Sequence, residues 1–207
     1  MAKYLQGING PFIGKVGTVV GCIWKGKPYM RGKGKSRTSE PSPGELDNRK
    51  KFKIAHNWLQ PLLAYLRVGF AGFSPTSEGY NAAKSYNLKH AMFNGEVIPD
   101  LIRVSCGDLP LSEDIGVRYD NDQLHFTWSK SSVGPLNLKD QVMLLAYHPE
   151  SRTALYDLHG AFRNMGEQIL DTYKAFVGQT IHVYAAFISA DRTKQSNSQY
   201  LGTIDCQ

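Results

Sequence analysis

The residues here that could make or break bonds are three cysteines, six histidines and a few neighbouring carboxylates, and their spacing points away from catalysis. Cys22, Cys106 and Cys206 are odd in number and far apart, with no C-x-x-C arrangement, so neither a disulfide framework nor a zinc site is expected. They read as reduced thiols of a cytoplasmic protein. Cys206, near the end, is expected to be the most exposed, and Cys106, closing an apolar run, a small buried residue. The histidines at 56, 90, 125, 148, 159 and 182 include no H-x-x-x-H or H-E-x-x-H pair, and no metal is expected. G-x-S-x-G does not occur, so there is no nucleophile elbow. Glu113/Asp114 and Asp120/Asp122 sit among turn residues, where solvated turn chemistry accounts for them, and Asp120-Asn121-Asp122 lacks the rest of a calcium loop. Gly14, Gly17 and Gly21 follow neither phosphate-loop pattern, G-x-x-x-x-G-K-[ST] or G-x-G-x-x-G. The expectation is a protein that is not an enzyme, with no cofactor and no evident small-molecule substrate.

Charge carries more information. The 207 residues have a net charge of +6, and it is unevenly spread: residues 1–53 hold twelve Lys or Arg against three acids, residues 54–100 balance at three and three, and residues 101–207 hold nine against twelve. A basic head and a mildly acidic tail suit a polyanionic partner, or association of one copy's head with another copy's tail. For a polyanion such as nucleic acid the candidates are Lys25, Lys27, Arg31, Lys33, Lys35, Arg37, Arg49, Lys50, Lys51 and Lys53. They are interleaved with Trp24 and Tyr29, aromatics that stack well on bases. For docking onto another copy the apolar anchors are Val19, Ile23, Trp24, Tyr29 and Met30.

The composition, 42% hydrophobic and 20% charged residues, describes a folded chain. Its longest apolar runs fall far short of the roughly 20 residues of a membrane span, and the start has no apolar core of a secretion signal. Residues 14–31 read as a β-hairpin turning at Lys25-Gly26-Lys27, with Val16, Thr18, Val20, Cys22 and Trp24 on one face and Val19 and Ile23 on the other. Glycine within such a strand marks a bulge or a close backbone approach. Residues 32–43 have the composition of a linker. Ser42-Pro43-Gly44-Glu45 fits a helix start, with Phe52, Ala55, Leu59, Leu62, Leu63 and Leu66 at helical spacing and Pro61 placed to kink the helix. A second helix is expected from Ser77 to Phe93, stopped by Asn94-Gly95.

Beyond residue 100 the pattern becomes β, with runs at Leu101–Cys106, Gly116–Tyr119, Gln123–Ser129, Gln141–His148, Ala154–Asp157, Glu167–Asp171, Thr180–Ser189 and Ser198–Ile204, separated by turn signals such as Ser129–Gly134. In LHFTW, Leu124, Phe126 and Trp128 should point inward, with Trp128 meeting the Tyr184/Phe187 strand at the core. That strand is apolar on both faces, as for a central strand or one also covered by the helices. Eight short strands in this length suggest a two-sheet sandwich, and without paired cysteines a fibronectin-III version fits better than an immunoglobulin one. The expected fold is α+β: a hairpin arm and linker over 1–40, two helices over 41–97, and an antiparallel β-sandwich over 98–207.

Four blocks, GKVGTVVGCIWKGKPYMR, PSPGELDNRKKFKIAHNWLQPL, GYNAAKSYNLKHA and VYAAFISADRTKQSNSQYLG, resemble in order an uncharacterised protein family abundant in Bacteroidetes. The resemblance runs over nearly the whole chain and departs from the commoner Ser-Trp form at Cys22-Ile23-Trp24. It implies a bacterial or phage-associated protein of about this length and brings no activity, cofactor or catalytic residue. The combined expectation is a structural protein, cytoplasmic or in an assembled particle, that self-assembles into a homo-oligomer or larger body through its N-terminal arm. Nucleic-acid binding through the basic region, or service as a phage virion or decoration protein, are the other readings.

Overall fold

The computed structural model describes residues 2–5, 7, 10–36, 38–130 and 138–207. The chain is α+β, and it divides into two compact units, residues 1–42 and residues 43–207.

The larger unit opens with a helix that starts where the sequence placed it. α1 (Pro43–Leu59) has Pro43 at its first helical position and Glu45 in the first turn, where a carboxylate suits the helix dipole. Pro61 lies in a 3-10 turn, Gln60–Leu62, that joins α1 to α2 (Leu63–Gly69). Ala55, Leu59, Leu62 and Leu66 are buried, as their spacing requires. Phe52 is not. It stays exposed with Leu46 and Ile54, its ring stacked on His56 at 6.1 Å and capped by the Lys84 Nζ at 5.5 Å.

α3 (Gly79–His90) is shorter than its apolar pattern suggested. Asn94-Gly95 does not end a helix; it turns a small hairpin between β5 (Met92–Phe93) and β6 (Glu96–Val97). Both turn residues have positive φ, 49° and 86°, the geometry that makes Asn-Gly a hairpin signal.

Seven of the expected strand runs form strands: β7 (Gly116–Asp120), β8 (Gln123–Thr127), β9 (Gln141–His148), β10 (Thr153–Asp157), β11 (Glu167–Asp171), β12 (Gln179–Ile188) and β13 (Gln199–Cys206). The Leu101–Cys106 run does not. Ile102 and Val104 are buried, which explains the apolar alternation, but side chains and a helix end take up its amides. The Arg103 N–H donates to Asn87 Oδ1, the Val104 N–H to Ser198 Oγ and the Cys106 N–H to the Gly69 carbonyl, so no strand ladder is needed.

The strands make two antiparallel sheets, ordered β10-β9-β12-β13 and β11-β8-β7. β9 and β12 are apolar on both faces because each face is covered. Met143, Leu145, Tyr147, Tyr184, Ala186 and Ile188 join Leu59, Leu62, Tyr65 and Leu66 of the helices in one core. Val142, Leu144, Ala146, Val183, Ala185 and Phe187 join Leu124, Phe126 and Trp128 in the other. Trp128 meets Phe187 edge to face at 5.6 Å, as expected. Tyr184 lies on the opposite face, since strand neighbours of odd separation point apart, and donates to the Pro99 carbonyl at 2.7 Å. Two further phenols tie sheet to helices: Tyr65 donates to the Met143 carbonyl at 3.1 Å and Tyr147 to the Trp58 carbonyl at 2.9 Å. Burial pushes the Tyr147 phenol up to about 12.

Candidate functional site

The smaller unit carries most of the residues singled out for interaction, on four strands where a hairpin was expected. β1 (Lys3–Tyr4), β2 (Phe12–Val16), β3 (Val19–Trp24) and β4 (Lys27–Gly32) form an antiparallel sheet in that order. The expected continuous run from Val16 to Trp24 is broken at Gly17-Thr18, where Gly17, at φ +56°, opens a two-residue turn that brings Val16 opposite Val19. The second turn is Lys25-Gly26, both at positive φ, and Lys27 already pairs with Trp24.

That extra turn changes which residues share a face. Pairs directly opposite one another point the same way, so the ladder Gly14–Gly21–Met30 and its neighbours define one face: Val16, Val19, Ile23, Pro28 and Met30, with Gly14, Gly21 and Gly32. No charged residue stands on it. Gly21, the one buried residue of this sheet, is the close approach its spacing suggested: a Cβ there would lie 2.1 Å from the Phe12 carbonyl oxygen and 2.7 Å from the Phe12 ring. The other face carries Lys15, Val20, Cys22, Trp24, Lys27, Tyr29 and Arg31. The expectation that Val16 faces the same way as Val20 and Trp24 is therefore corrected, and the five apolar anchors separate. Val19, Ile23 and Met30 lie together on the uncharged face, while Trp24 and Tyr29 lie among the bases.

Neither face is buried. Met30 is 69% exposed, Trp24 54% and Tyr29 48%, and no buried hydrophobic residue is found among the described residues of 1–42. Lys25 sets its Nζ 5.3 Å from the Trp24 ring centre. Lys33 and Lys35 follow β4 in exposed, irregular chain, the Lys33 N–H still donating to the Thr18 carbonyl at 2.7 Å. Arg37 lies outside the described residues. Arg49, Lys50, Lys51 and Lys53 are exposed on the first turns of α1, in the other unit; at 100° per residue only Arg49 and Lys53 line up closely.

The remaining chemical groups of the larger unit do not converge. Cys206 is buried at 1% exposure, against expectation, because β13 pairs with β12 to its last residue and sets this side chain in the core beside Phe176 and Ile181. Cys106, expected to be buried, is only half-buried and lines a recess of about 520 Å³ with Tyr86, Asp108, Lys194 and Asn197. Burial pushes its thiol up, Asp108 adds to that and Arg103 opposes it, which leaves it a poor nucleophile. His182 accepts or donates at 2.9 Å to the Tyr200 hydroxyl, and His148 sits at 2.8 Å from Ser151 Oγ. Among the described residues no group of three or more His, Cys, Asp or Glu could hold a metal ion. No described helix is long and apolar enough to cross a membrane.

One residue that sequence reasoning passed over is Arg163. It is buried, with Nη1 donating to Ser112 Oγ at 2.8 Å, Nη2 to the Pro110 carbonyl at 2.8 Å, and Asp140 at 3.4 Å. Its guanidinium lies 4.0 Å from the Phe187 ring centre, and its carbonyl accepts from Trp128 Nε1 at 2.8 Å. Burial lowers its pKa and Asp140 pulls it back. It clamps the loops around the core edge, and nothing in its neighbours Phe162 and Asn164 announces that role.

No curated protein and no solved structure is significantly similar to the chain. A family model described as a family of unknown function, DUF6266, matches residues 11–202, a span that contains all four sequence blocks quoted above. Strands β2 to β12, the start of β13 and all three helices lie within the matched span, and the chain belongs to that family of unknown function.

Proposed function

We propose that this is a non-enzymatic, self-assembling protein whose N-terminal sheet docks on the same sheet of a second copy through the uncharged face of Val16, Val19, Ile23, Pro28 and Met30. The observation that supports the reading is an apolar sheet face on which Phe12 covers Gly21 and no residue but that glycine is buried, leaving Met30, Ile23 and Val16 exposed on paired strands. A small sheet needs a covered apolar face to be stable in water. The absence of charge lets two basic segments meet face to face while their lysines and arginines point away, and one self-complementary patch is what a two-fold pair requires.

Size decides the strength. From strand rise and spacing the face measures roughly 20 Å by 15 Å, about 300 Å² in footprint. That is well under the ~800 Å² per partner of a standard stable interface. The assembly is therefore weak and concentration-dependent unless the β4 edge also adds to a neighbour's sheet, which its unpaired main-chain groups permit. For the larger unit we propose the sandwich of fibronectin-III type; the two sheet orders and their shared core support it, as strands three apart in sequence lie side by side.

Light scattering on a dilution series tests the reading. The expected result is a mass above 23.1 kDa that falls on dilution, is lost in Met30→Asp, and is lost on removal of residues 1–35 with the larger unit still folded. A monomer at every concentration, or a mass indifferent to both changes, overturns it.

A further inference from the structure

We infer that the opposite face of the N-terminal sheet binds single-stranded nucleic acid. On β4, Lys27, Tyr29 and Arg31 alternate in the order cation, aromatic, cation, about 6.6 Å apart at the two-residue repeat of a strand. Trp24 stands directly across from Lys27, and Arg31 is joined through Val20 to Lys15 in one row across three strands. Residues 1–39 contain eight Lys or Arg and not one carboxylate, Glu40 being the first acid of the chain. Nothing on that face repels a phosphate backbone.

The aromatics decide the class of polyanion. Exposed Trp24 and Tyr29 flank the cations on a flat surface, which is how base-stacking platforms for single strands are built; paired bases in a duplex hide the faces that would stack. An anionic membrane would meet the same cations, but the residues suited to enter lipid, Ile23 and Met30, point the other way. The inference does not depend on assembly, because the two faces share no side chain.

Anisotropy of a fluorescent oligothymidine titrated with the full-length protein tests it, with a duplex of equal length and phosphatidylserine vesicles as comparators. Three cations on the face give a log–log salt slope of about −2 for a single strand, so affinity should fall roughly twentyfold between about 50 and 200 mM salt. Trp24→Ala with Tyr29→Ala should cost about tenfold or more on the single strand and leave the weaker duplex binding unchanged. Lys27→Glu with Arg31→Glu should abolish binding, with Lys15→Glu as the second reading should the double reversal alter particle mass. Absence of binding, indifference to the aromatic pair, or equal binding of duplex or vesicles each overturns the inference.

Discussion

β12 and β3 are written in similar residues and meet opposite fates. In β12 the run Val183 to Ile188 is buried on both faces, helices on one side and the three-stranded sheet on the other. In β3 the run Val19-Val20-Gly21-Cys22-Ile23-Trp24 buries a glycine and little else. Strand length contributes: β12 has ten residues and central neighbours, while the strands of the smaller unit have two to six. The rest is cover. Alternation and β-branched residues specify that a strand forms and which side is apolar, but not what lies on top of it.

Phe187 should show the largest effect of cover. This side chain is fully buried and packs against the Trp128 ring and the Arg163 guanidinium. Phe187→Ala should destabilise the larger unit by about 3–5 kcal/mol, the range for emptying a packed aromatic site. Met30→Ala, in the smaller unit, should change stability by under about 0.5 kcal/mol, as for an exposed side chain. Urea denaturation followed by tryptophan fluorescence compares them. Equal losses would mean that the N-terminal sheet has a core of its own.

Gly21→Val sharpens the contrast from the other side. Its Cβ would run into a backbone oxygen, the Phe12 carbonyl at 2.1 Å, which cannot swing aside as a flexible side chain could. β2 and β3 should lose their register and limited proteolysis should clip the segment early. The unfolding free energy of residues 43–207 should hold within about 0.5 kcal/mol, as for substitutions that share no partners. A fall of the whole transition would show the two units to be energetically one.

These tests bear on what was legible in the chain beforehand. LHFTW and HVYAAFIS carried their faces openly: Phe126 inward, His125 half out, and apolar residues on both sides of β12. Gly17-Thr18 hid its turn, because Val16, Val20 and Trp24 keep a perfect two-residue rhythm across it. A two-residue turn re-pairs Val16 with Val19 and so inverts the phase of everything that follows. Alternation along β3 already set Trp24 apart from Val19 and Ile23, but Tyr29 and Met30 take their faces from the β3–β4 register, which the return strand alone does not state. Leu101–Cys106 misled for a different reason: burial imposes alternation whether the amides bond to a strand or to Asn87 and Ser198. Arg163 had no periodic signal, its partners lying 23 to 53 positions away in sequence.

The mildest test is pH, and it separates the units by composition alone. His182 lies half-buried on β12 against the Tyr200 hydroxyl, beside a recess that also holds His148 and Glu150. Burial first, and His148 second, lower its pKa below the usual 6.5. The unfolded chain then takes up a proton that the native state resists, so the unfolded form binds more protons in that window. The contribution to stability is complete above pH 6.5 and is lost as pH falls through that value towards the lowered native one. Residues 1–39 contain no histidine and no carboxylate, so nothing of that kind titrates there. Denaturation midpoints of the larger unit should therefore decline from pH 7 towards 5.5, with a shallower slope in His182→Gln, while particle mass stays level across the same range. A mass that follows the acid titration would place a histidine of residues 43–207 at the assembly contact, and the uncharged sheet face would no longer suffice to explain it.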